Sequence, residues 1–274
     1  MLLRLTLATA VLGATLLAPA ARADQLADIK ARGVLVCGML GTDEPNSFID
    51  PATRELIGYE ADLCRTVAAR IGVRPVLKQM AVTARIPELQ QGRVDILTAS
   101  LTHNKEREAQ IDFSLSTLVL GQKVMVKKSS GITAVAQLAG KKVLTARGGT
   151  QETNIRRAVP TVNVTTFDNV AQAFLALQQG KGAGYVDDEA PLLTNYAKLG
   201  PAQKDYVILP QSISTEAMAI GIKKGEPALK KLIDDTLRGL EKSGDAAKLF
   251  QKWYGPGTRL NMPKREFTFS SDQI

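Results

Sequence analysis

The chain has 274 residues, 35 Lys and Arg against 27 Asp and Glu, one His, two Cys and 5% aromatics. Its formal charge of +8 is mild and interleaved with acids, so it offers none of the basic clusters that a nucleic-acid surface needs. One histidine and no CxxC spacing leave no set of metal ligands, and no cofactor is expected.

The first 23 residues, MLLRLTLATAVLGATLLAPAARA, combine a lone Arg4, an apolar stretch over residues 5–18 and a small-x-small ending at Ala21, Arg22 and Ala23. That is the pattern of a cleaved secretory signal. The apolar part is shorter than the roughly 20 residues that span a bilayer. Asp24, not Cys, follows the cleavage point, so a soluble exported protein is expected, without a lipid anchor. At roughly 100 to 200 residues per domain, the remainder predicts two compact units.

Downstream, short β-branched runs alternate with helical patterns. GVLVCG (33–38) precedes the helix YEADLCRTVAARIG (59–72), VRPVLKQM (73–80) precedes IPELQQG (86–92), and VDILTAS (94–100) precedes NKEREAQ (104–110). Cys37 ends the first strand, and Cys64 lies on the apolar face of the helix that follows. In an oxidising compartment the two thiols either bridge or stay as small buried hydrophobes; the pattern leaves both open. The rhythm resumes with KKVLTA (141–146), TQETNIRRA (150–158), VNVTTF (162–167), NVAQAFLALQQG (169–180), GAGYVDD (182–188) and EAPLLTNYAKLG (189–200). This alternation is the signature of an α/β architecture with largely parallel sheets. Two long extended runs, STLVLGQKVMVKKSSG (116–131) and STEAMAIGIKKG (214–225), have no helix partner. They read either as central strands of one sheet or as crossings between two lobes. On the second reading the chain leaves near Gly121 and returns near Glu216, giving lobe 1 over 24–120 and 217–274 and lobe 2 over 121–216. Helical patterns over 227–243 and 245–254 close the fold.

Three stretches could carry chemistry. In SLTHNKEREAQIDFS (100–114), Asn104 is a candidate N-cap that places Arg107 in a first helical turn beyond a strand edge. Ser100 and Thr102, two apart on an extended segment, would share a side. With the planar guanidinium fork they make an anion site, although an arginine in a charge-rich helix also reads as solvated surface. His103 reads as exposed loop. In ARGGTQET (146–153), Thr150 is a candidate cap, and Gly148 and Gly149 would let backbone N–H groups approach an anion. No nucleotide fingerprint is present. In YVDDEAP (185–191), a strand ends in Asp187, Asp188 and Glu189 before a helix near Pro191, and one acid would cap that helix or accept a cation.

Taken in order, GYEADLC, IPELQQGRVDIL, SLTHNKEREAQIDFS, LAGKKV with RGGT, QQGKGAGYVDDE and LEKSGDAAKLFQKWYG resemble the extracellular solute-binding proteins, family 3, that feed amino acids to ABC importers. The resemblance implies a periplasmic-binding-protein-like fold of two Rossmann-like lobes joined by two hinge strands. It implies a monomer in the periplasm, with an amino acid ligand, a membrane permease as partner, and neither cofactor nor metal. It assigns Arg107 to the ligand α-carboxylate, helped by Ser100, Thr102, Gly149 and Thr150. Asp188 falls to the α-ammonium, with Asp187 structural. TARIP (83–87), VDD and the tail LNMPKREFTFSSDQ (260–273) are similar to glutamate/aspartate-binding members, in which Arg85 would hold a side-chain carboxylate. That implies glutamate or aspartate as ligand, or else glutamine. Two cationic residues of that subfamily are replaced here, an arginine by Leu40 and a histidine by Val170, and Asn46 stands where an aromatic is common. Relatives resembling cyclohexadienyl dehydratases use the same cleft with a general acid, for which Glu189 or Glu152 would be the candidates.

Overall fold

The structure, a computed structural model, describes residues 24–270, so the expected signal over 1–23 lies outside the described residues. Asp24 accepts a hydrogen bond from the Leu26 N–H at 3.0 Å and starts α1 (Gln25–Arg32). There follow β1 (Val34–Met39), a small antiparallel meander of β2 (Thr42–Asp43), β3 (Ser47–Ile49) and β4 (Leu56–Ile57), and then α2 (Tyr59–Ile71). β5 (Arg74–Gln79), α3 (Arg85–Gln90), β6 (Ile96–Leu97) and α4 (Lys105–Glu108) complete the first pass through lobe 1. The long β7 (Asp112–Lys127) leads to β8 (Lys142–Ala146), α5 (Gln151–Ala158), β9 (Asn163–Phe167), α6 (Val170–Gln178), β10 (Gly184–Asp188), α7 (Glu189–Lys198) and β11 (Tyr206–Ile208). β12 (Ser214–Ile222) returns the chain, and α8 (Pro227–Ser243) and α9 (Asp245–Tyr254) pack on the first lobe.

Both long runs enter one hydrogen-bonded sheet of order β5-β1-β6-β12-β7-β10-β8-β9, with β11 also on β7. β1 pairs parallel with β5 and β6 at one end of the sheet, and β8 pairs parallel with β9 and β10 at the other. β12 and β7 pair antiparallel between them. At roughly 3.3 Å per residue, the 16 residues of β7 reach about 50 Å, enough to serve both lobes. Its first part pairs with β12, and its last part with β10 and β11. Gly121 faces Thr215 across the crossing, and Gln122 pairs with Asp188 on one edge and Ser214 on the other. Separate apolar cores form at the two ends. Leu35, Leu63, Ile96, Ile233 and Phe250 fill one, while Val124, Val143, Ile155 and Val186 fill one face of the other.

The Cys37 and Cys64 sulfurs are joined in a disulfide, with Cα atoms 6.2 Å apart, and tie β1 to α2 inside the first core. Gly58 sets where α2 starts. Its φ is 132°, and a β-carbon there would lie 2.3 Å from the Asn46 carbonyl oxygen. That close approach lets the Tyr59 and Glu60 N–H groups donate to the Pro45 and Asn46 carbonyls at 3.0 and 2.9 Å, which brings Glu60 beneath the cleft. No helix among the described residues is long and apolar enough to cross a membrane.

Candidate functional site

A cavity of about 20 Å³ lies where the lobes meet, roughly the room of one water molecule. Lobe 1 contributes Leu40, Asp43, Val82, Arg85, Ser100, Thr102 and Arg107 to its wall. Lobe 2 contributes Ala146, Gly149, Thr150, Gln151, Val170, Asp187 and Asp188. The seven residues singled out in the sequence for ligand contact therefore border one cavity.

Arg107 is placed by local chemistry. The Asn104 side chain accepts from the Arg107 N–H at 2.9 Å and opens the single turn of α4. The side chain turns inward and is only 9% exposed, so it is not a solvated surface charge. Nη1 donates to the Thr102 carbonyl at 2.8 Å and Nη2 to the Gly148 carbonyl at 3.2 Å. Burial lowers its pKa, and the charges of Glu216, Glu106 and Asp188 oppose that fall. His103, expected in an exposed loop, is instead largely covered. Its ring stacks on Phe113 at 4.2 Å between centroids, and Nε2 lies 2.7 Å from Glu108.

Two local expectations are corrected. Ser100 has φ 48°, not an extended conformation, so its hydroxyl does not share a side with that of Thr102. The Ser100 hydroxyl donates to Asp43 and accepts from Asn46 Nδ2 at 3.1 Å, whereas Thr102 Oγ1 faces Thr150 Oγ1 at 3.5 Å. Thr150 does not cap α5 with its side chain, because its backbone is already helical. Its hydroxyl donates to Glu216 Oε2 at 2.6 Å and accepts from Gln122 Nε2 at 2.9 Å. In the glycine turn the Gly148 carbonyl accepts from Arg107 and from Arg85 Nη2 at 2.9 Å. Two guanidiniums of lobe 1 thus hold a backbone oxygen of lobe 2.

Arg85 is the more heavily committed of the pair. Nε donates to the Val82 carbonyl at 2.9 Å, and Nη1 to the Ala99 and Ser100 carbonyls at 2.8 and 2.9 Å. With the bond to Gly148, four of the five N–H donors of a guanidinium are used on backbone, leaving one. Burial, with Arg107 alongside, lowers its pKa to about 9.

On the opposite wall, α7 begins at Glu189, two residues before Pro191, and Asp188 stands at its N-cap without a side-chain capping bond. The carboxylate accepts from Gln122 Nε2 at 3.0 Å, and burial together with the Asp43 charge raises its pKa. Asp187 accepts from the Tyr185 hydroxyl and from the Asp188 N–H at 2.9 Å. Glu189 pairs with Lys123 and Glu152 with Arg156, and neither glutamate borders the cavity.

Sequence reasoning passed over Asp43, Glu60, Gln122, Asn154 and Glu216. Asp43 ends β2 within LGTDEPNSF, just beyond β1, where its place at a strand edge is the available signal. Glu60 accepts from the Ser100 N–H, and burial followed by the Asp43 charge raises its pKa to about 8. Asn154 Nδ2 joins Gln122 Oε1, Ser214 Oγ and Glu216 Oε1 at 2.9, 3.1 and 2.7 Å, a polar knot at the crossing strands. Asn46 is fully buried behind the wall, its amide donating to Asp43 Oδ2 at 3.0 Å. No group of His, Cys, Asp and Glu suited to a metal ion occurs among the described residues.

Comparison with known proteins follows the same outline. The profile of the bacterial extracellular solute-binding proteins, family 3, matches residues 35–256. The chain is 32% identical to the ABC transporter glutamine-binding protein GlnH of Bacillus subtilis, over 84% of each chain. It is 31% identical to the glutamate/aspartate import solute-binding protein of Escherichia coli, over 93% of this chain and 91% of that one. A solved ancestral arginine-binding protein, bound to glutamine, superposes with a TM-score of 0.77 at 33% identity, covering 82% of this chain and 99% of that one.

Proposed function

The chain belongs to the bacterial extracellular solute-binding proteins, family 3, and we propose that its cleft captures a free L-amino acid for an ABC importer. The observation that carries this reading is the pair of opposite poles on one small cavity, Arg107 on lobe 1 and Asp188 on lobe 2. An amino acid has the matching α-carboxylate and α-ammonium at one end. The relatives named above bind glutamine, glutamate and aspartate, or arginine, which share those two groups and differ beyond them. Thr102, Gly149 and Thr150 would complete the carboxylate end, and Asp187 would hold Tyr185 and the β10 edge in place.

Capture proceeds by lobe closure. The present cavity is smaller than any amino acid, so the ligand enters with the lobes parted and meets the second pole as they close about the crossing near Gly121 and Thr215. Only contacts that are better in the closed form can drive that shift. Export to the periplasm and delivery to a membrane permease follow from the expected signal and the family. The matched relatives are binding proteins, and Glu189 and Glu152 lie off the cavity wall, both of which support capture over turnover.

A thermal-shift screen of the L-amino acids tests the reading, because a ligand that binds the folded state raises the melting temperature by mass action. Stabilisation by a subset of L-amino acids is expected, and none by their N-acetyl or carboxamide derivatives, which lack one pole. Silence across every amino acid would refute it.

A further inference from the structure

Asp43 borders the same cavity, is 3% exposed, and its two carboxylate oxygens differ. Oδ2 accepts from the Ser100 hydroxyl and from Asn46 Nδ2 at 3.0 Å. Oδ1 is buried and has no hydrogen-bond partner among the described residues, although Asp43 borders the cavity. A buried acceptor left without a donor is costly, so this oxygen is a place prepared for a donor from outside the protein.

The charges around it favour a cation. Asp43, Asp187 and Asp188 line the cavity and Glu60 stands behind Ser100, against Arg85 and Arg107; burial raises all four acids, and a cation among them would favour their charged forms. The α-groups of a bound amino acid add no net charge. An acidic side chain would therefore meet repulsion from this cluster, and a basic one would pair with it. Arg85, the residue available for a side-chain carboxylate, has one N–H uncommitted and cannot offer a bidentate fork without giving up backbone bonds. Leu40, Val82 and Val170 make an apolar strip on the same cavity, suited to the methylene stem of a long cationic side chain.

We propose that Asp43 reads the side chain of the ligand, and that the captured amino acid carries a cationic side chain, as arginine, lysine or ornithine does. The assignment rests on the amino acid reading above and narrows it to one substrate class.

The test is calorimetry on the exported form of the chain with L-arginine, L-lysine, L-ornithine, L-glutamine and L-glutamate, repeated on Asp43→Asn. One of the three basic amino acids should bind at least tenfold more tightly than glutamine or glutamate. Asp43→Asn should weaken that ligand by about 10- to 100-fold, the range for a hydrogen bond to a charged group. A melt of the ligand-free variant checks its fold, and if it does not fold, the ranking on the unaltered chain decides alone. Tightest binding of glutamate or glutamine would overturn the cationic assignment and leave amino acid capture standing. An Asp43→Asn affinity within threefold of the parent would overturn the role of Asp43. No binding by any amino acid would overturn both readings.

Discussion

Removing the Arg107 guanidinium isolates the carboxylate end of the site. In Arg107→Ala a bound α-carboxylate would stay buried between the lobes without its cationic partner, and the Thr102 and Gly148 carbonyls would each lose a donor. Truncating one partner of a buried, hydrogen-bonded charge pair costs about 2 to 5 kcal/mol. At about 1.4 kcal/mol per tenfold, that is a loss of roughly 30-fold to several thousand-fold. A micromolar ligand, bound with about 8 kcal/mol, would thus fall to the tens of micromolar at best and beyond detection at worst. Arg107→Lys retains the charge and loses the planar fork, so it should fall between the parent and the alanine variant. Isothermal calorimetry with the amino acid that gives the largest thermal shift measures both. An Arg107→Ala affinity within threefold of the parent would show that the α-carboxylate is held elsewhere and refute the assignment of the two poles.

The ligand-free protein should melt at a lower temperature at pH 8.5 than at pH 5.5. Burial and then the Asp43 charge raise Glu60 to about 8 and also raise Asp188, so the folded state holds these protons more tightly than the unfolded chain. Their contribution is fully present below the unfolded carboxylate values and is lost as the pH rises through the folded ones. Glu88, held near 2 by hydrogen bonds from Arg93 and then Lys78, has finished titrating by pH 5.5 and does not mask the effect. A melting temperature that stays level or rises over this window would contradict the buried acid cluster. Reduction of the Cys37–Cys64 bridge, which spans a sequence separation of 27, should destabilise the fold by about 3 to 4 kcal/mol on a chain-entropy basis. Denaturation in urea with and without reductant measures it, and coincident midpoints would argue against the bridge.

The alternation of strands and helices, the Asn104 cap that starts α4 and the helix ends at glycine were legible in the sequence because they depend on neighbours within a few residues. The polar residues that edge the cleft could be picked out the same way, since a strand edge followed by a helix start is a local pattern. What each side chain does there was not legible. Locally Arg107 reads as surface or as ligand hook, until the chain 41 residues further on brings the Gly148 carbonyl over it. Arg85 carries the same charge, yet three loops converge to bind its donors to backbone. Ser100 sits in a left-handed conformation that turns its hydroxyl towards Asp43, 57 residues earlier, and so away from Thr102. Asp43 and Glu60 carry no local mark in the sequence, and closure of the fold over them leaves Oδ1 of one without a donor and makes the other a raised acid. Backbone geometry is written in short-range sterics and capping, whereas burial, pairing and charge balance depend on which distant segments exclude water together. Local sequence thus sets the scaffold and the residues at its cleft, and long-range packing sets which of their donors and acceptors remain for a ligand.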